Sequence, residues 1–317
     1  MKNVFTFLLL LFSLLCNGQS PKLFTTDKEL SSSLINQIYQ DRNGFIWIAT
    51  EDGLNRYDGA KFTIYKHEPN NEHSLAHNFV RTVFEDSKGH LLIGTYIGIQ
   101  MYDPATDNFT PLAKLEDTGE TLESNINSFI ERKNGEIWVS GNVLCKLDIK
   151  DHLLTVRKVD IAVTSPGSLF EDKKQNVWMA KGEEGVYQLT PDNQLTLHLS
   201  KDNGYVKSIC EDQRGNIYVG SIRKGLFIYD KERKTFVPVD LKEKGELPVC
   251  FLYSGIPNEL YIGTDGKGVA IYNIRTHEIS EYKFDNNYFD SGNSKIHSIL
   301  KDNSGNLCLA VYQKGVI

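Results

Sequence analysis

Seven positions in this sequence, 40 to 47 residues apart, carry side chains that could bind a ligand. Each lies five residues before a turn, among apolar residues of an expected strand. The seven residues are Asn36, Arg81, Asn127, Gly167, Lys207, Cys250 and His297. Because polar side chains in apolar surroundings need partners or water, they predict a ring of mixed donors around a channel. Such a ring suits hydroxyl-rich or anionic groups, although a water-filled channel wall without a ligand is the favoured interpretation.

A second group of candidates lies in the loops that follow the middle strand of each segment. Tyr96 and Tyr312 are aromatic residues in loops expected to be exposed, where they could stack on sugar rings or peptides. Cations occupy the same place in other segments. Together with three members of the ring, the predicted ligand-binding set is Arg81, Tyr96, Lys207, Arg223, Lys267, His297 and Tyr312.

Residue patterns typical of catalysis or metal binding are absent from the sequence. It has no nucleophile motif, zinc spacing, phosphate loop or calcium loop. His67, His73 and His77 share one loop, which we interpret as solvated. The recurring aspartates fall once per segment, so we interpret them as turn formers: Asp41, Asp86, Asp172, Asp212 and Asp302. We therefore predict no enzymatic activity for this chain, no cofactor and no metal.

A sevenfold repeat positions these residues. Its turn position falls at 44, 89, 135, 175, 215, 258 and 305, and each turn precedes a short apolar run such as 45–49. A period of about 40–50 residues built of short strands is typical of a β-propeller with one four-stranded blade per repeat. The repeat predicts an all-β, seven-bladed propeller, with Trp47, Trp138 and Trp178 in its core.

The two ends of the chain are expected to meet in the seventh blade. That repeat supplies strands near 296–300 and 307–311 and only the start of a third, whereas the segment around Phe24 resembles a fourth strand. Pairing of Phe24 with the last residues would close the ring and leave no edge exposed. Because the seventh repeat breaks off inside a strand, we expect a longer parent protein. Gln175 replaces the turn glycine in repeat four, which predicts a distorted turn there.

Composition limits the partners and the compartment. The net charge is −6 and is not concentrated in runs, which argues against nucleic acid. Residues 1–18 are typical of a signal peptide, so the propeller would occupy 19–317; lipid attachment at Cys16 is the alternative. In an exported protein the remaining cysteines could pair, but buried free thiols are favoured: Cys145, Cys210, Cys250 and Cys308.

The stretch 40–59, which reads QDRNGFIWIATEDGLNRYDG, closely resembles the two-component regulator propeller repeat. The resemblance implies the first propeller of the periplasmic sensor of a Bacteroidetes hybrid two-component system. It also implies a second propeller, a three-Tyr domain, an inner-membrane anchor and a histidine kinase in a homodimeric parent. Members of this family usually recognise oligosaccharides, commonly where the two propellers meet. The expected role is thus an oligosaccharide-sensing domain.

Two other functions remain open at the level of sequence. An exported propeller enzyme, such as a lyase, would need an acid/base pair on one face, for which His297 with Arg81 or His77 with Glu51 are the candidates. A protein-interaction platform is the other, since propellers present large surfaces and fold alone does not settle function.

Overall fold

The computed structural model describes residues 21–199, 204–241, 247–283 and 290–317, so the predicted signal peptide at 1–18 lies outside the described residues. Seven antiparallel sheets are arranged around one axis. The first strand of each sheet contacts the first strands of both neighbours, and this inner ring is closed. The prediction of an all-β, seven-bladed propeller is confirmed.

Blades 1 to 3 follow the expected strand order from the inside outwards. Blade 1 comprises β1 (Ile35–Gln40), β2 (Ile46–Thr50), β3 (Gly53–Tyr57) and β4 (Phe62–Tyr65). Blade 2 comprises β5 (Val80–Glu85), β6 (Leu91–Thr95), β7 (Ile99–Asp103) and β8 (Asn108–Phe109). The short strand β9 (Lys114–Leu115) belongs to blade 3, with β10 (Ser128–Glu131), β11 (Ile137–Ser140), β12 (Leu144–Lys150) and β13 (Leu153–Lys158). Blade 3 thus has a fifth strand, since β9 pairs in parallel with β13.

Blades 4 to 7 complete the ring. Blade 4 comprises β14 (Ser168–Glu171), β15 (Val177–Lys181), β16 (Gly185–Leu189) and β17 (Leu195–Leu199). Blade 5 comprises β18 (Val206–Glu211), β19 (Ile217–Ser221), β20 (Gly225–Asp230) and β21 (Thr235–Pro238). Blade 6 comprises β22 (Val249–Ile256), β23 (Glu259–Thr264), β24 (Val269–Asn273) and β25 (Ile279–Tyr282), and a 3₁₀ turn, Ser291–Asn293, follows. Blade 7 comprises β26 (Ile296–Lys301), β27 (Leu307–Val311) and β28 (Gly315–Val316).

The recurring aspartate shapes the turn between the first two strands of a blade and also holds a core side chain. In blade 4 the Oδ1 atom of Asp172 accepts hydrogen bonds from the amides of Lys174 (2.8 Å) and Asn176 (2.9 Å). Its Oδ2 atom accepts from the indole Nε1 of Trp178 at 2.9 Å. Trp178 and Asp172 are both buried. One carboxylate therefore fixes a surface turn and the orientation of a core tryptophan.

The expectation of a distorted turn in blade 4 was wrong. Gln175 adopts a φ of 67°, in the left-handed region that glycine occupies in most other repeats. Its amide donates to the Asp172 carbonyl at 2.9 Å, as the amide of Gly215 does to Asp212 at 3.0 Å. The bonds made by the Asp172 carboxylate therefore hold Gln175 in a conformation that glutamine alone does not favour.

Neighbouring blades are joined by hydrogen bonds to one recurring acceptor side chain. This acceptor lies one residue before the position that the turn aspartate occupies in most repeats. Each acceptor receives a hydrogen bond from a backbone amide in the turn of the preceding blade. These bonds run from Arg42 to Glu85, from Ser87 to Glu131, from Lys133 to Glu171 and from Asn303 to Gln40, each at 2.7 Å. The last of them joins blade 7 to blade 1. A second hydrogen bond between blades 7 and 1 lies nearer the propeller axis, where Ser298 Oγ accepts from the Ile38 amide at 3.1 Å.

Phe24 completes blade 7, as predicted. It forms an antiparallel bridge with Val316, in which the Phe24 amide donates to the Val316 carbonyl at 2.8 Å and the Val316 amide donates back at 3.1 Å. The Phe24 ring also packs against Tyr57 and Phe62, with centroids 5.1 and 5.0 Å apart. The N-terminal segment thus joins the outer edge of blade 7 to blade 1.

The four cysteines that follow residue 20 are unpaired. Cys145, Cys210 and Cys250 are buried, and Cys308 is half-buried. Burial raises the pKa of the Cys145 thiol to about 11, so this side chain is neutral at physiological pH. These residues act as small apolar side chains of the blades.

Gly315→Ala should open the ring. Gly315 has a φ of +126°, and a Cβ there would overlap the Phe24 carbonyl oxygen. We expect a loss of at least about 3 kcal/mol in unfolding free energy, together with fast hydrogen exchange at the Phe24 and Val316 amides. Gly59→Ala is the matched control, because Gly59 also has a positive φ (+95°) but faces open space. That variant should lose only about 1 kcal/mol and keep both amides protected. Equal losses in the two variants would contradict the closure.

Asp172→Ala should be strongly destabilising. It leaves the Trp178 indole and two amides without their acceptor. Since a buried unsatisfied donor costs about 1–3 kcal/mol, we expect a loss of about 2–4 kcal/mol, measured by tryptophan fluorescence during urea unfolding. Asp58→Ala is the control, because exposed Asp58 accepts only from the amides of Ala60 and Lys61. A control as unstable as Asp172→Ala would refute the importance of the indole bond.

Candidate functional site

The first strands of the blades bring all seven residues of the predicted ring to one cavity. This cavity has a volume of about 610 Å³ and lies on the propeller axis, because the lining residues come from the inner strands of every blade. Its wall contains Asn36, Arg81, Asn127, Gly167, Lys207, Cys250 and His297. The strand register thus turns residues far apart in sequence into one polar surface.

Part of this wall is hydrogen-bonded from blade to blade. Asn36 Nδ2 donates to the Val80 carbonyl at 2.7 Å, from blade 1 to blade 2. Arg81 Nη2 donates to Asn127 Oδ1 at 2.9 Å, from blade 2 to blade 3. Asn127 Nδ2 in turn reaches the Pro166 carbonyl at the entrance to blade 4, at 3.2 Å. Arg81 and Asn127 therefore bond to each other, and all three side chains join the inner strands of neighbouring blades.

The charge of the wall is one-sided. Arg81, Lys181 and Lys207 line the cavity, and no aspartate or glutamate is among its lining residues in the described part of the chain. Lys181 forms an ion pair with Glu184 at 2.7 Å. Lys207 is exposed to the cavity, and within residues 21–199, 204–241, 247–283 and 290–317 its ammonium group has no carboxylate within ion-pair distance. The cavity is thus electropositive in a protein whose net charge is −6.

His297 is neutral at physiological pH. Burial, then the positive charges of Lys207 and Lys295, lower its pKa to about 4, against the smaller opposite effect of Asp265. Asp265 is itself paired with Lys295, whose Nζ lies 2.6 Å from a carboxylate oxygen. A neutral imidazole can offer one donor and one acceptor to a ligand, without charge.

The loop candidates divide into two groups. Tyr312 lies beside the cavity, with its ring centroid 5.1 Å from that of His297. Tyr96, Arg223 and Lys267 are outside the lining. Tyr96 is 54% exposed and packs on Phe79 and His77. The structure thus brings Arg81, Lys207, His297 and Tyr312 together and places the other three candidates in surrounding loops.

Arg223 and Lys267 take part in loop interactions. An Arg223 guanidinium nitrogen lies 3.2 Å from a carboxylate oxygen of Glu183, and both side chains are largely exposed. The Lys267 amide donates to Thr264 Oγ1 at 2.8 Å, in the turn that ends β23. Both residues lie in loops, as expected, and outside the wall of the cavity.

Lys181 and Tyr205 are among the lining residues that were not recognised in the sequence. Lys181 ends β15, at a position where four other blades have threonine or serine: Thr50, Thr95, Ser221 and Thr264. A lysine where these four blades have threonine or serine was the sequence signal that could have identified Lys181 as a candidate. Tyr205 precedes β18 and is 42% exposed at the cavity. No pattern distinguished it from other residues before an inner strand.

Two further observations concern what the described residues lack. None of the helices in the described part of the chain has the length and apolar composition needed to cross a membrane. Within those same residues, no group of three or more histidine, cysteine, aspartate or glutamate side chains could hold a metal ion.

The His297 environment generates a pH prediction. Since the folded protein lowers this pKa below its usual value of 6.5, the unfolded chain binds the additional proton between about pH 6.5 and 4. The contribution to stability is complete above pH 6.5 and is lost on acidification through that window. We expect a loss of about 1–2 kcal/mol, discounted because the ring is partly exposed. His297→Gln should remove this part of the pH dependence in urea unfolding. Identical profiles for the variant and the wild type would show that His297 titrates normally.

Three segments of the chain match a known family model. A family model described as "Two component regulator propeller" matches residues 29–52, 74–96 and 200–223. In sequence, histidine kinase P4 of Formosa agariphila is 37% identical over 83 residues, which are 24% of this chain and 6% of that protein. The matched segments begin repeats one, two and five of the propeller.

Solved structures share the fold. One is the extracellular domain ascribed to a hybrid two-component system of B. thetaiotaomicron, with a TM-score of 0.78 at 22% identity, covering 93% of this chain and 41% of the other. Another is an inactive virginiamycin B lyase from Staphylococcus aureus with quinupristin, with a TM-score of 0.69 at 13% identity, covering 93% and 97%.

At these identities the likeness concerns the fold alone, and both a sensor and an enzyme share it. The chain spans about two fifths of the length of the B. thetaiotaomicron domain. Three segments of this chain, residues 29–52, 74–96 and 200–223, therefore carry the two-component regulator propeller repeat.

Proposed function

We propose that this propeller is a ligand-sensing domain of a hybrid two-component sensor and that it binds an oligosaccharide at its central cavity. The observation that carries the proposal is the polar wall on the axis, where side-chain amides, hydroxyls and cations from blades 1 to 5 converge with the imidazole of His297 from blade 7. Hydroxyl-rich ligands require many such donors at once, and a channel built by rigid strands presents them in fixed positions.

The wall is better suited to binding than to acid/base catalysis. It contains no carboxylate among its described lining residues, and His297 is a weak base because of its lowered pKa. Arg81 donates to the neutral amide of Asn127. The other suggested pair is no better placed, because His77 Nδ1 accepts from the Phe79 amide at 2.9 Å. A lyase would need a proton acceptor matched to its working pH.

The proposal extends to the parent protein. The domain would lie in the periplasm behind a cleaved signal peptide, followed by a second propeller, a three-Tyr domain and a kinase anchored in the inner membrane. Relatives in which a similar domain is part of a longer chain support this arrangement. Occupancy of the cavity would pass through domain contacts in a homodimer, and the chain itself would do no chemistry. A protein-interaction role has no specific observation in its favour.

The test is isothermal titration of the chain and of its full extracytoplasmic region with a panel of oligosaccharides. A sugar that binds should lose at least tenfold in affinity on Tyr312→Ala or His297→Ala, because both line or adjoin the cavity. Lys88→Ala is the control, since Lys88 is exposed in the turn of blade 2 at the opposite end of the inner strand. Failure of every sugar to bind the full region, or turnover of an added sugar, would refute the proposal.

A further inference from the structure

The charge distribution of the cavity says more about its ligand than the donors alone. The chain as a whole is acidic, with 41 aspartates and glutamates against 35 lysines and arginines. The lining reverses this balance, with three cations and no carboxylate in the described part of the wall. Because like charges brought together around one cavity repel one another, such an arrangement favours a negative group between them.

Several cations that join neighbouring blades are paired with carboxylates. Arg42 lies 2.6 Å from Glu85, Arg56 lies 3.0 Å from Asp107, and Arg132 lies 2.8 Å from Glu171. Each of these pairs joins neighbouring blades, and none of the three cations lies in the wall of the cavity.

Two cavity cations have no such partner among the described residues. Arg81 donates to the neutral Asn127 amide and lies 5.7 Å from the centroid of the Phe79 ring. Lys207 is exposed and has no ion pair with any described carboxylate. They stand on β5 of blade 2 and β18 of blade 5, three blades apart in a ring of seven, and therefore on opposite walls of the channel.

The surroundings of Lys207 preserve its positive field. The charged and titratable groups that act on this part of the wall are Lys295, Asp265, His297 and Cys250. Asp265 is held by Lys295 at 2.6 Å, and burial raises the pKa of the Cys250 thiol, so the thiol stays neutral. Neither group neutralises Lys207. The lowered pKa of His297 agrees with this, since Lys207 is one of its causes.

Resting on the sensing role proposed above, we propose that the oligosaccharide is acidic and that its oxyanion, a carboxylate or a sulfate, enters the channel between Arg81 and Lys207. Charge-assisted hydrogen bonds from guanidinium and ammonium groups are the strongest contacts this wall can offer. The serines beside them, Ser128, Ser165 and Ser168, face the same cavity and supply bonds for hydroxyls. Tyr205 gives the sugar ring an exposed aromatic surface at the same cavity.

The first experiment compares matched sugars. Oligogalacturonides, their carboxyl-reduced neutral counterparts and a sulfated galactan oligosaccharide are titrated into the chain at low and high salt. The acidic ligands should bind at least tenfold more tightly than the neutral ones and weaken with salt. A difference between uronate and sulfate would identify the oxyanion. Neutral sugars that bind as tightly as acidic ones would overturn the acidic ligand and leave the sensing role intact.

A matched pair of variants assigns the effect to the channel. Lys207→Met should remove most of the preference for the acidic sugar, while Lys207→Arg should keep it, because only the former removes the charge. Lys207 is exposed and forms no side-chain hydrogen bond or ion pair with the described residues that either change would break, so both variants should unfold at the wild-type urea concentration. A preference unchanged in Lys207→Met would contradict the assignment.

The second experiment needs no sugar. Inorganic sulfate is titrated while the His297 ring is followed by NMR as a function of pH. A sulfate ion between Arg81 and Lys207 offsets the positive field and should raise the His297 pKa, and Lys207→Met should abolish the sulfate effect. A His297 titration unaffected by sulfate would overturn the anion site, whichever sugars bind. A sulfate effect without any sugar binding would retain the anion site and refute the oligosaccharide.

Discussion

The structure depends on hydrogen bonds that cross from one blade to the next, because a blade alone cannot bury both of its faces. On the turn face, glutamate or glutamine side chains accept from the amides of the preceding blade. Nearer the axis, Gln37 Oε1 accepts from the Val83 amide at 2.7 Å, and Ser298 Oγ accepts from the Ile38 amide. These bonds are directional, so they set the angle between blades as well as holding them together. Ring size and channel width follow from that angle.

The same geometry turns a set of separate residues into a site. An inner strand contributes only one or two side chains to the axis, and none of them would bind a ligand by itself. Arg81, Lys207 and His297 acquire a common environment only when blades 2, 5 and 7 are held in one ring. The fixed strands keep the cations apart without carboxylate neighbours, at a cost in electrostatic energy that the rest of the fold offsets. A wall of this kind is pre-organised for a ligand.

Sequence was a good guide wherever one repeat determines the structure. The period, the turn aspartates, the buried tryptophans, the closure by Phe24 and the polar column on the axis were all predictable. The blade-to-blade acceptors, such as Glu131, were not, because their partners lie in another repeat and no local pattern names them. Gln175 misled because its conformation is imposed by the Asp172 carboxylate. Lys181 and Tyr205 were not recognised, because the side chains that reach the cavity from strand ends and loops depend on tertiary contacts.

The bridge between Phe24 and Val316 also constrains the order in which the chain can fold during synthesis. A chain made from its N-terminus presents Phe24 almost three hundred residues before its partner exists. Each blade can pair its own strands early, since those contacts are local, but blade 7 and the edge of blade 1 must wait. During that interval the outer edge near Phe62 and the unpaired N-terminal segment are both open to wrong partners. The N-terminal segment therefore stays open to misassociation until the last residues of the ring have been synthesised and have paired with it.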